Sequence, residues 1–238
     1  MPDGRASPHR LNLQAIEATL RQVQARFEAI NAALVERRDK LDDRVIGNMM
    51  AGYRLVDGYV ASGVDLFALE GVGGMIEVNT TVLCGDDPAR RRESASHIAA
   101  TERRFYEQEE DAIGDLVEWR EAHRGESMWK RAAGTFVRVL SKPQLFIEGN
   151  HRSGALIMSH ILVREGFPPF VLLVDNARAF FNPTTLMRRT RKKGVATLYR
   201  LPKIKACYAE FLESQAEARF LLDPPAPRPG AQCGRATA

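Results

Sequence analysis

The sequence predicts an all-α fold, a helical bundle, in which residues 75–83 leave room for one short hairpin. Three observations lead there. Apolar residues recur at intervals of three, four or seven over most of the chain, the repeat of a helix with one buried face. Glycine and proline clusters cut that pattern into helix-length pieces. The regular alternation of strand and helix that a doubly wound sheet requires is missing.

Taken in order, residues 1–11 are rich in Pro, Gly, Ser and Arg and read as a flexible start. From 13 to 59 the pattern gives one or two long helices. Ile16, Leu20, Val23, Phe27, Ile30, Leu34, Leu41 and Val45 form an apolar stripe that faces either the rest of the chain or a second subunit. Gly71, Gly73 and Gly74 mark a turn before 75–83, where Ile76, Val78, Thr80, Thr81 and Val82 suit a strand or a short helix. Asp87 is placed to cap a helix that starts at Pro88. Helices are expected over 89–108, 113–123 and 127–140, the last with Ser127 as its N-cap. Ser141-Lys142-Pro143 stops it, and an apolar helix over 152–165 follows, closed by Gly166 and the Pro168-Pro169 pair. Short helices over 176–181 and 184–190 flank a turn at Asn182-Pro183, and a final helix covers 202–220. The tail carries Pro224, Pro225, Pro227 and Pro229 and no apolar pattern, so it reads as disordered. The resulting division is 1–11, an N-terminal helical region over 12–88, a helical domain over 89–222, and the tail over 223–238.

A chain of 238 residues with 45% apolar content has material for a substantial core. Its longest apolar run, 167–174, contains two prolines and is far short of a membrane span. The N-terminus has no apolar segment of the secretory type. Cys84, Cys207 and Cys233 are odd in number and widely spaced, which argues for reduced thiols, a cytoplasmic setting, and neither a disulfide framework nor a zinc site. The net charge of +4 is unevenly spread. Arg188, Arg189, Arg191, Lys192, Lys193, Arg200, Lys203 and Lys205 follow one another without an acid between them, whereas 107–121 is acidic. Such a basic run attracts phosphates or nucleic acid, or simply forms a solvated face. No nucleic-acid-binding motif accompanies it, so nucleic acid is not the expected partner.

The chemistry concentrates in Phe146-Ile147-Glu148-Gly149-Asn150-His151-Arg152-Ser153-Gly154. Gly149 permits a backbone conformation closed to other residues, or close approach by a ligand. Asn150 is suited to fixing the turn or capping the helix. The start of the following helix offers unpaired N–H groups and a positive dipole end, to which Arg152 adds a bidentate donor. Glu148 supplies a carboxylate able to hold a divalent cation, and Phe146 reads as a buried peg. A phosphate cradle and ordinary helix capping both explain this set.

The same residues resemble the signature of the Fic (Fido) domain, His-x-Phe-x-Asp/Glu-Gly-Asn-Gly-Arg-x-x-Arg. Phe146, Glu148, Gly149, Asn150 and Arg152 match it, and the apolar segment that follows is similar to the helix after that signature. The resemblance covers about 25 residues. It implies a Fic-like helical bundle, Mg²⁺ held by Glu148, and phosphates of ATP or another nucleotide held by Gly149, Asn150, His151, Arg152 and Ser153. The reaction implied is transfer of AMP to a hydroxyl of a target protein. Three positions depart from the pattern. Gln144 stands where the family has its basic histidine, and an amide does not accept a proton near neutral pH. His151 replaces the second glycine, and Ala155 the second arginine. His151 is left with three readings: a replacement base, a phosphate or substrate contact, and a structural histidine.

The combined expectation is a Fic-like protein that binds a nucleotide or other phosphorylated small molecule at 145–154 without standard AMP transfer. An active divergent transferase and a non-catalytic regulatory or protein-interaction module are the alternatives, the latter with a homodimer built on the N-terminal stripe. Glu70-Gly71 gives only the ending of the family's inhibitory motif, because Leu66 occupies its Ser/Thr position.

Overall fold

A computed structural model describes residues 9–107 and 112–223. Most of the expected flexible start and the expected disordered tail, 224–238, lie outside the described residues. Among the described residues ten α-helices follow one another: α1 (Leu13–Ala32), α2 (Asp43–Ala61), α3 (Gly74–Cys84), α4 (Pro88–Glu93), α5 (Ala95–Glu107), α6 (Ile113–Ala122), α7 (Met128–Leu140), α8 (Asn150–Arg164), α9 (Ala177–Arg189) and α10 (Val195–Ser214). A 3₁₀ turn at Ala218–Phe220 comes last. Among the described residues there is no strand, only two isolated bridges, Leu11 with Leu221 and Lys142 with Arg191. No described helix is long and apolar enough to cross a membrane.

Local chemistry sets several boundaries as expected. Asp87 accepts from the Ala89 N–H at 2.9 Å with Pro88 in the first helical turn of α4, and Ser127 caps α7 through Lys130 N–H. Other boundaries moved. The 75–83 segment is helical, not a hairpin, because Met75, Val78 and Val82 fall on one face at helical spacing and are all fully buried. The expected turn at Asn182-Pro183 is interior to α9, and Pro202 is interior to α10. In α9 tertiary packing outweighs proline's preference: Phe180 stacks on Phe170 with centroids 4.7 Å apart, and Thr184 and Met187 are buried. The expected 89–108 helix is broken at Ser94.

The centre of the bundle is α8, buried at every position from Ser153 to Val163. It packs against α7, α2 and α3. Its contact with α2 depends on Gly52, where a Cβ would stand 2.3 Å from Leu156 Cδ1. One core cluster runs from Leu11 to Leu221 and includes residues of both the 12–88 and the 89–222 regions. The α1 stripe is covered within the chain: Ile16 and Leu20 join the main core. Val23, Phe27, Ile30 and Leu34 form a second cluster with Ala177. That coverage removes the stripe as a basis for a homodimer. The segment before α1 is tied to the last described turn, with Asn12 N–H donating to the Phe220 carbonyl and Leu222 N–H to the Arg10 carbonyl, both at 2.9 Å, and to α2, with Leu11 N–H donating to Asp57 at 2.9 Å.

Candidate functional site

The segment between α7 and α8 is held from several sides. Ser141 Oγ turns back onto the Val137 carbonyl at 2.8 Å and ends α7. Lys142 N–H donates to the Thr190 carbonyl and Lys192 N–H to the Lys142 carbonyl, both at 2.9 Å. The Lys142-Pro143 peptide is cis. Phe146 is the buried peg expected, fully enclosed and stacked on Phe105 with centroids 5.8 Å apart. Asn150 closes the loop: its Oδ1 accepts from Phe146 N–H at 2.9 Å while its Nδ2 donates to the Phe146 carbonyl at 2.8 Å. Gly149 has φ of 74°, the left-handed conformation that favours glycine. Asn79 of α3 braces the turn from outside, donating to the Glu148 carbonyl and to Ser153 Oγ, each at 2.9 Å.

No side chain caps the first turn of α8, and that turn contains no acid. Asn150 is occupied with the loop, so the N–H groups of this turn and its positive dipole end are without a side-chain counterpart. Arg152 does not reach along its own helix start. It turns to α3, where Nη1 donates to the Val82 carbonyl at 2.6 Å. Burial, and then Arg44, push its guanidinium below the usual value. Among the described residues no carboxylate forms an ion pair with Arg152; its hydrogen bond goes to a carbonyl, and Asp39, Glu148 and Asp42 act on the partly buried cation only from a distance. The Glu148 side chain is exposed. One exposed carboxylate beside a turn suits Mg²⁺, which is held by one or two carboxylates together with water and ligand phosphates. Among the described residues there is no group of three or more His, Cys, Asp or Glu placed to hold a metal by themselves.

His151 projects towards α9, with Nε2 2.9 Å from Thr184 Oγ1. The Thr184 hydroxyl gives its own proton to the Phe181 carbonyl at 2.6 Å, so it accepts from His151 and Nε2 carries the hydrogen. Burial, then Arg38, Arg188 and Arg152, push the imidazole down to about 3. It is neutral at ordinary pH and a weak proton acceptor. Gln144 is half-buried and acts on the loop itself. Its Nε2 donates to the Leu140 carbonyl at 3.2 Å, and its backbone carbonyl accepts from Arg104 Nε and Nη2 at 3.1 and 2.8 Å.

Two cavities lie on either side of Lys142 and Gln144, which line both. The larger, about 530 Å³, is also lined by Phe146 and Ile147 of the loop and by Arg104, Arg191 and Lys193. The smaller, about 260 Å³, adds Glu36, Thr185, Arg188 and Arg189. In it Glu36 already pairs with Arg189 at 2.7 Å and Arg188 at 3.4 Å. The larger cleft has no acidic side chain among its lining residues, although Lys193 reaches Asp115 at 3.6 Å. Gly149, Asn150, His151, Arg152 and Ser153 line neither cavity. The sequence-predicted residues are therefore brought into one loop and helix start, while the open space beside them is bounded by basic residues that sequence reasoning did not join to the loop. Arg104 lies about 40 positions upstream and carries no motif. Arg191 belongs to the basic run, which by sequence suits either phosphate attraction or a solvated face, and the backbone pairing of Lys142 with Thr190 and Lys192 brings it to Gln144. Comparison of the chain with protein-family models, with curated proteins and with solved structures finds no match in any of the three.

Proposed function

We propose that this chain is a Fic-like protein that binds a nucleotide or another phosphorylated small molecule at the 145–154 loop and does not carry out standard AMP transfer. The observation that carries the reading is the roughly 530 Å³ cleft, in which Gln144, Phe146 and Ile147 of the loop meet Arg104, Lys142, Arg191 and Lys193. Four cations line it, of which Lys193 also pairs with Asp115; such a lining favours a ligand with more than one negative charge, and a site of this size takes a small molecule. The uncapped start of α8, with the partly buried Arg152 in its first turn, offers a second place for phosphate next to the loop. Glu148 is the residue that would hold Mg²⁺, which would supply charge neutralisation for the ligand's phosphates.

What this chain's residues supply is binding and orientation. The family resemblance calls for a base where Gln144 stands, and an amide provides none. His151 is a poor substitute, since Nε2 is committed to Thr184 and the ring resists protonation until about pH 3. Incubation of the protein with Mg²⁺, labelled ATP and a cell lysate tests both halves of the reading. Saturable retention of nucleotide with no covalent label is the expected result, with retention reduced by Glu148→Ala when Mg²⁺ is present. Label transferred by the unaltered protein would overturn the second half. Absence of binding to ATP, ADP, AMP and pyrophosphate alike would overturn the first.

A further inference from the structure

A third cavity, of about 680 Å³, lies between α9 and α10 and shares no lining residue with the loop cleft. Ala179, Pro183 and Leu186 of α9 form one wall, and Ile204, Tyr208 and Phe211 of α10 form the other. Its volume falls within the roughly 300–1,000 Å³ range of small-molecule sites. Leu186 remains half exposed there instead of packing against a neighbour.

Charge is confined to one end. Arg200 and Lys203, both exposed, are the charged residues of the lining, and neither forms an ion pair with a described residue. From Arg200 the lining positions of α10 continue through Ile204, Cys207, Tyr208 and Phe211, a single helix face. At 1.5 Å of rise per residue, Arg200 and Phe211 are roughly 16 Å apart along the axis. The groove is thus cationic near the start of α10 and apolar over the remainder of its length. We infer that it binds a single-chain amphiphile with a carboxylate head, the head against Arg200 and Lys203 and the alkyl chain lying towards Phe211. An extended peptide fits less well, because its backbone carries polar groups along its whole length and the apolar wall leaves them unpaired. The assignment is independent of what the loop binds.

Cys207 provides a probe inside the groove, since it lines the cavity and its thiol is free and exposed. Laurate, below its aggregation concentration, is titrated into the full chain by calorimetry. Maleimide labelling of Cys207 is followed with and without laurate by peptide mass. The inference predicts one-to-one saturable binding and labelling slowed at least fivefold. It also predicts binding at least tenfold weaker for dodecanol, which lacks the charged head, and for the Arg200→Ala/Lys203→Ala protein. Ala179→Trp, at an exposed position of the wall, should block binding while leaving the circular dichroism and thermal midpoint unchanged. Several outcomes would overturn it: no saturable binding, Cys207 labelled at the same rate with laurate present, or equal affinity in the double variant. Binding only to phosphatidylglycerol vesicles would make the groove a membrane contact. A dimer dissociated by Ala179→Trp, in a protein that ignores laurate, would assign it to a second copy of the chain.

Discussion

Asn150 shows how a single side chain converts a loop sequence into a site. By pairing with both the N–H and the carbonyl of Phe146 it satisfies backbone groups that are buried with the Phe146 ring. Asn150→Ala leaves both unpaired, a cost of about 1–3 kcal/mol each, so the urea midpoint should fall clearly; an unchanged midpoint would show that the loop does not need this closure. Two histidines, His160 buried and His151 partly buried, make stability depend on pH. His160 donates Nε2–H to the Val64 carbonyl at 2.9 Å, and burial pushes it down to about 4; His151 lies at about 3. Both folded-state values are below the unfolded value of 6.5, so the unfolded chain takes up protons first. Their contribution is complete above pH 6.5 and is lost as pH falls towards 4, by about 1.4 kcal/mol per pH unit per histidine at the steepest. Unfolding measured at pH 7, 6 and 5 should show this decline, and His160→Gln should flatten part of it. A pH-independent midpoint over that range would contradict the assignment.

At the scale of elements, much was legible where the chemistry is local. The helix after the loop, the caps at Asp87 and Ser127, and the stop at Ser141 all depend on residues within a few positions of each other. The elements left open or misread are those decided by distant partners. Residues 75–83 have a β-branched composition that suits a strand, yet burial of Met75, Val78 and Val82 against the rest of the bundle makes them helical. Pro183 marks a turn by every local rule, but Phe180 and Thr184 are anchored in the core and α9 runs through it. Interior proline costs a helix about 3 kcal/mol, offset by up to about 1 kcal/mol from its restriction of the unfolded chain. Because Pro183 is exposed, Pro183→Ala should raise the thermal midpoint. A lower midpoint would mean that the proline, and not the core contacts, sets the course of α9.

For the whole molecule, the all-α architecture followed from periodicity, but the surroundings of the loop did not. The loop residues themselves, from Phe146 to Arg152, could be named from the sequence because they are contiguous. The cleft beside them is assembled from α5, the loop and the segment after α9, joined by the backbone bonds of Lys142 to Thr190 and Lys192. No periodicity or spacing encodes that meeting. Under the proposed reading a ligand's charge would be met beside Gln144, by cations from three parts of the chain, in addition to the start of α8.

The most direct test is a calorimetric titration of Mg²⁺-ATP and of pyrophosphate into the unaltered protein and into Lys142→Ala/Arg191→Ala. Both side chains are exposed and their backbone pairing survives the substitution. Charged hydrogen bonds of about 1.5–3 kcal/mol each predict binding to the unaltered protein that weakens at least tenfold in the variant. Binding of equal strength in the two proteins would place the ligand elsewhere, and no binding by either phosphate compound would contradict the account at its centre.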